Sequence, residues 1–321
     1  QGSKIQKTFS KYYQVVFAAL IVLTAIVLVL FFMVCVRGQK LYNVRDYGAA
    51  GDGRTDDAAA IQRAVDECSS KGGGQVVFPS GYTFMSGPVE LKSNVDYHIE
   101  QNSTWLANPD ESIYNLSAFK ENRGEGMMWL WCKDAQNISI TGQGTIDGNG
   151  VAFMGKELED SYELKPLTDN FDPRPHVLTL IGVHNLEIRD IKIAEGAYWT
   201  VHLIGCEDAS IVGVSIMNNL KIRNGDAIDI DHSKKVRISD CNITSGDDCI
   251  CFKNRREYSE YGTCQDITVT NCTMTGRSCA IKLGSENVDT MSDIIIDDCV
   301  IKARNRGIGV QNRDEGTVHN V

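Results

Sequence analysis

The chain has 321 residues, a length that suits one large domain or two ordinary ones. Its formal net charge of −10, with 42 acidic residues against 32 Lys and Arg, argues against a nucleic-acid partner, whose phosphates favour a basic surface. With 29 glycines and only 6 prolines, the composition suits many short strands joined by tight turns.

The first element is apolar. Val15 to Val36 is an unbroken 22-residue stretch in which only Thr24 is polar, matching the roughly 20 residues that span a bilayer. A cleavable signal has a shorter apolar core, about 7–15 residues, with small residues before the cut. An uncleaved membrane anchor is therefore expected. Lys4, Lys7 and Lys11 precede it and Arg37, Lys40 and Arg45 follow it, so the charge balance selects no orientation.

Beyond the anchor, Tyr42 to Gly48 reads as a first strand. Asp52-Gly-Arg-Thr-Asp56-Asp57 supplies a turn and a helix start, with Thr55 or Asp56 as the expected N-cap. Ile61, Val65 and Cys68 then recur at helical spacing, and Gly72-Gly-Gly74 ends the helix. Such a helix would cover the open end of a strand stack. Gln75 to Pro79 resumes in extended form.

Five later segments align as copies: Leu186–Ile191, Ala209–Val214, Val236–Cys241, Ile267–Cys272 and Ile294–Cys299. Their last residues lie 23, 27, 31 and 27 positions apart. Asn137 to Gly142 is a looser earlier copy. Apolar and polar residues alternate in most copies, as a strand with one buried face requires. Each is followed by a turn and a second short strand. Two or three strands per period with no helical pattern between them select a right-handed parallel β-helix, an all-β solenoid, over a leucine-rich repeat or a propeller. Cys241, Cys272 and Cys299 share one repeat position and are expected to stack inward as small apolar residues rather than to form disulfides. Val318-His-Asn-Val321 resembles Val183-His-Asn-Leu186, so the chain is expected to stop as a new coil begins, truncated at its C-terminus.

Superimposing the repeats places Asn224-Gly225-Asp226 on Gly246-Asp247-Asp248. Adjacent strands lie about 4.8 Å apart, so three carboxylates crowd one patch of the outer wall. Asp229 and Asp231 alternate with Ile228 and Ile230 and face outward too. Close carboxylates repel, and one of them holds its proton to higher pH. That suits glycoside hydrolysis. Aspartates that merely satisfy backbone N–H groups in turns, or a Ca²⁺ site, are the other readings of the same residues.

The region from Tyr42 to Val321 resembles glycoside hydrolase family 28, the polygalacturonase family of the pectin-lyase-like superfamily. Tyr42-Asn-Val-Arg-Asp-Tyr-Gly-Ala-Ala-Gly-Asp-Gly-Arg-Thr-Asp-Asp57 is shared widely in that superfamily. Gly144-Thr-Ile-Asp-Gly148, Arg174-Pro-His176, Tyr198-Trp199-Thr200, Asn224-Gly225-Asp226 and above all Ser245-Gly-Asp-Asp248 are more specific. The resemblance implies an inverting glycosidase of pectin-type polysaccharide, with Asp247 as general acid and Asp226 and Asp248 holding the attacking water. Two motifs depart from the family. Its Gly-His-Gly falls on Gly276-Arg277-Ser278, and its Arg-x-Lys pair falls on Gly309-Val310-Gln311. Asn224, Arg277, Lys282 and Arg306 are the expected substrate-binding residues, whereas Lys253 reads as a solvated surface base.

The expected organisation is a polar segment over 1–14, an anchor over 15–36 and a β-helix hydrolase domain over 41–321. The domain is expected outside the membrane, extracellular or periplasmic, with a secreted form as the alternative. The expected partners are a polysaccharide or oligosaccharide and, through the anchor, the membrane. No nucleic acid, cofactor or metal is expected, and the chain is expected to be a monomer. A Ca²⁺-dependent lyase on the same fold and a non-catalytic carbohydrate-binding β-helix are the competing functions.

Overall fold

Alternation of buried and exposed side chains along short strands decides the architecture. In the computed structural model, which describes residues 24, 40–120, 124–157, 164–166 and 172–321, the chain from Leu41 to Val321 winds through three sheets of ten, nine and eight strands. All strand pairing within these sheets is parallel. Each regular coil contributes one strand to each sheet, as in Lys234–Ser239, Asn242–Ser245 and Ile250–Asn254. This is a parallel β-helix. The anchor expected at Val15–Val36 lies outside the described residues except for Thr24. Among the described residues no helix is long and apolar enough to cross a membrane.

Register explains the repeat. On the first sheet Ile140, Ile188, Ile211, Ile238, Val269 and Ile296 stand in one column, each paired with the next. Stacked β-branched side chains fill the interior and fix the pairing, because a one-residue slip would turn every one of them outward. The corner between the first and second sheets needs a left-handed residue in each coil. Asp190, Asp240, Asn271 and Asp298 supply it with φ of 59°, 58°, 52° and 51°, a conformation that Asn and Asp tolerate better than other non-glycine residues. Asn271 Nδ2 donates to Asp240 Oδ1 at 2.6 Å, linking consecutive corners. The ten cysteines among the described residues are free thiols, and Cys241 and Cys272 are buried in the core.

The helix Ala58–Ser70 buries Ala60, Ile61, Ala64, Val65 and Cys68 at the start of the stack. Its N-cap is Asp57, not Thr55 or Asp56. The Asp57 carboxylate faces backward and accepts the N–H groups of Ala50 and Gly51, at 2.5 and 2.9 Å. Asp56 Oδ1 takes the first helical N–H, that of Ala58, at 2.9 Å. The strand expected from Tyr42 to Gly48 is shorter: Leu41–Asn43 pairs with Gly74–Phe78, and Val44–Tyr47 turns into a 3₁₀ segment ended by Gly48 at φ 93°. The Asn43 side chain accepts the Arg45 N–H and starts that turn.

Candidate active site on the third sheet

The third sheet brings the chemistry together. Ile228 pairs with Ile250, Ile250 with Ile281 and Ile281 with Ile308, so Asp226 and Asp248 stand at matching positions of adjacent coils. The Ala227 N–H donates to the Asp248 carbonyl at 3.0 Å, carrying the ladder through this point. Asp247 sits in the turn before its strand. There its N–H donates to Ser245 Oγ at 3.1 Å, while the Ser245 hydroxyl lies within reach of the Gly225 and Asp248 carbonyls. Gly246 in this turn has no room for a side chain: a Cβ would come within 2.4 Å of the Ile222 carbonyl oxygen. The sequence Ser-Gly-Asp-Asp is therefore a packing requirement as well as a source of carboxylates.

Oxygens of Asp226, Asp247 and Asp248 all lie within 4.8 Å of one another. Asp226 is 3% exposed and Asp248 1%, while Asp247 is half-buried and open to solvent. Burial pushes the Asp226 carboxyl well above the usual range, and the charges of Asp229 and Asp247 add to it. Burial also raises Asp247, with Asp248 adding to it. Lys282, Lys253 and the Asn224 N–H act the other way. A coupled group of this kind shares its protons rather than assigning one to each residue. A Ca²⁺ ion takes 6–8 oxygen ligands, and in this cluster one oxygen of Asp248 is already engaged by the Lys282 ammonium at 3.0 Å. Asp226, Asp229 and Cys251 form a second, fully buried group within the same limit.

The expected substrate-binding residues separate. Lys282 points outward between the core residues Ile281 and Leu283. With Cys279, Arg306, Gly309, Val310 and Gln311 it lines a pocket of about 270 Å³. Arg306 is exposed on the next strand. Arg277 is directed to the Leu220 carbonyl, 3.3 Å from its Nη1. The part of Asn224 that reaches the carboxylates is its N–H, toward Asp247.

Lys253 overturns its expected place in solvent. It is 4% exposed, with Nζ 3.6 Å from Asp229, 3.5 Å from Glu286 and 4.6 Å from the centre of the Trp199 ring. Asp229 and Asp231 do turn away from the coil interior, yet both are fully buried. The cover over them comes from distant parts of the chain. The Phe119 ring lies 5.2 Å from Trp199 and 5.3 Å from His176, and the Arg255 guanidinium sits 3.9 Å above it. Tyr258 donates its hydroxyl hydrogen to the Ala118 carbonyl at 2.5 Å, and Lys120 Nζ reaches the Glu257 carbonyl at 2.6 Å and Glu260 at 2.9 Å. Beneath this strap Asp231 Oδ2 lies 3.5 Å from His202 Nε2. Burial holds His202 down near 4, although Asp231 opposes it. For Asp231 the burial effect is outweighed by His202, His232 and Arg255, which keep its carboxyl below the usual range. The Ile-Asp-Ile-Asp alternation signalled Asp229 and Asp231, but the sequence carried no signal for Phe119 or Arg255.

Trp199 stands one coil before Asp226, and His176 one coil before Trp199, by the pairing of Val201 with Ile228 and with Leu178. The outer face is thus walled off immediately to one side of the three aspartates. On the other side Lys282, Arg306 and Val310 reach solvent.

Known proteins are similar to this chain. A "Probable polygalacturonase" from Vitis vinifera is 28% identical over 288 residues, covering 83% of this chain and 56% of that protein. An "Exopolygalacturonase" from Zea mays is 27% identical over 279 residues, covering 84% and 62%. The chain therefore spans little more than half the length of these relatives. The solved structure of a Yersinia enterocolitica family 28 exopolygalacturonase superimposes with a TM-score of 0.74 at 23% identity, over 88% of this chain and 57% of that one, a likeness of fold. The model of the glycosyl hydrolases family 28 matches residues 68–321, and the chain belongs to that family.

Proposed function

We propose that the protein hydrolyses pectin-type polysaccharide from a chain end, with Asp226, Asp247 and Asp248 as its catalytic carboxylates. The carrying observation is the crowding of these three within 4.8 Å beside a face closed on one side. Asp247, the most accessible of the three and raised by burial and by Asp248, is the acid that protonates the leaving oxygen. Asp226 and Asp248 hold the attacking water. Carboxyl separations of about 6.5–9.5 Å mark inverting pairs and about 5–5.5 Å retaining ones. These three come closer than the inverting range, so the inversion of configuration rests on family membership, and NMR of the first-formed anomer tests it.

The strap of Phe119, Arg255 and Tyr258 leaves little room beyond the aspartates on its side. A polysaccharide lying along the outer face would place its terminal sugar there, and the first product would be a single sugar. The pocket of Lys282 and Arg306 offers positive charge for an acidic sugar on the open side. The deciding experiment is a time course of the full-length protein on polygalacturonan, rhamnogalacturonan and neutral glycans. Monosaccharide released first and unchanged by chelator supports the reading. Mixed long oligomers at early times would refute end-first action. Unsaturated products that vanish in chelator would mark a lyase, and binding without turnover a carbohydrate-binding role.

The unbroken apolar length of Val15–Val36 supports a second part of the proposal, a membrane tether for the hydrolase domain. Release of the full-length protein from membranes by alkaline wash would contradict the tether.

A further inference from the structure

Lys282 stands at an unusual place for a residue expected to hold substrate. Its side chain is 20% exposed, and its one ion pair among the described residues is to Asp248 Oδ2 at 3.0 Å. The other oxygen of Asp248 accepts the Cys279 N–H at 2.8 Å. Both oxygens of this buried carboxylate are therefore engaged by donors.

The neighbours of Lys282 direct it to this task. On one side it pairs in register with Cys251, whose thiol donates to the Gly284 carbonyl at 3.0 Å and offers the ammonium no acceptor charge. On the other side it pairs with Gly309, which contributes no side chain. The Asp248 carboxylate is fixed in rotation, because its two oxygens are held from different directions.

We propose that Lys282 is a positioning residue for the reaction: together with the Cys279 N–H it fixes the orientation in which Asp248 holds the attacking water. The proposal rests on the hydrolase reading above. It assigns Lys282 a different role from gripping the substrate's own acid group, and the two roles differ in their kinetics. A group that acts through Asp248 lowers kcat and leaves KM nearly constant, whereas a grip on the substrate raises KM and spares kcat.

The test is steady-state kinetics of the full-length protein on the pectic substrate it hydrolyses, with K282M, K282R, D248N and the double variant D248N/K282M. K282M is expected to lower kcat about 10²-fold, the cost of misplacing a catalytic group, with KM within about twofold. K282R, which keeps a cation at the same place, is expected to recover part of the loss. In the D248N background K282M is expected to cost nothing further, because the group it serves is gone. A raised KM at unchanged kcat would overturn the proposal in favour of a substrate grip. Equal losses from K282M with and without Asp248 would overturn it as well, and would survive any general weakening of the fold, since K282R and D248N are measured beside it. A wild-type protein without turnover on any glycan would overturn the hydrolase reading and this proposal together.

Discussion

The outer face of the third sheet runs through both a covered and an open stretch, and the two treat similar residues in opposite ways. Under the strap, Lys253, Asp229 and Asp231 are closed off, with Lys253 3.6 Å from Asp229 and Asp231 3.5 Å from His202. One and two coils further on, Lys282 and Arg306 line a pocket open to solvent. Alternation along the strands turns all of these side chains away from the coil interior. Whether outward means exposed is decided by what another part of the chain lays over them. Phe119 and the Arg255–Tyr261 segment do so on one side of the three aspartates. The cleft is therefore built from a uniform sheet by covering part of it, and the three aspartates stand at the edge of the covered part.

The sharpest way to break this comparison is at the boundary. Asp247→Asn in the full-length protein removes the proposed acid without changing the size of the side chain, and the expected loss is about 10²–10⁴-fold in kcat, read as reducing ends released. Retained activity would move the chemistry away from the trio. Next in size is Lys253→Met. Removing one partner of a buried ion pair costs about 3–5 kcal/mol, measured as a lower urea midpoint. Substituting Lys235, whose pair with Glu207 is exposed to solvent, should move the midpoint far less in the same assay. Equal costs for the two lysines would show that the strap does not seal the covered stretch. Phe119→Ala takes away the centre of the strap. It is expected to cost about 3 kcal/mol of stability and to shift the first product from single sugars toward oligosaccharides.

Much of this architecture was legible because it is periodic. The recurring Ile-x-Ile strands, the αL-tolerant Asp and Asn corners and the match of Asn224-Gly225-Asp226 to Gly246-Asp247-Asp248 each repeat with the coil, so the pattern carries register and places the carboxylates together. Ile61, Val65 and Cys68 marked the buried face of the helix for the same reason. Features that occur once were not legible. Phe119 meets Arg255 across 136 positions of sequence, and nothing local to either residue records the meeting. Lys253 read as solvated because a lysine beside a strand usually is. The outward turn of Lys282 followed from alternation, but its pairing with Asp248 depends on the coil-to-coil offset of 31 residues and on a bare glycine at position 309. At the helix start, the Asp57 side chain is drawn from capping the helix to the two N–H groups of the preceding turn, a competition that a local helix-start pattern does not resolve.

The gentlest test concerns Glu286, which joins the covered stretch to solvent with a side chain 28% exposed. Burial tends to raise its carboxyl, but Lys253, its own backbone N–H, Arg255 and Arg313 outweigh that and hold it near 2, below its ordinary 4.5. A carboxyl depressed on folding contributes stability that is present in full above its unfolded value and is lost as pH falls through the folded one. Wild type should therefore exceed Glu286→Gln by about 2 kcal/mol at neutral pH, reduced from the full linkage value by partial exposure. That gap should narrow as pH falls from about 4.5 toward 2, read from urea midpoints at several pH values. A gap independent of pH would mean that Glu286 contributes through packing alone. Lys253 would then depend on Asp229 for its counter-charge, and the covered stretch would be sealed off from solvent more completely than the exposure of Glu286 implies.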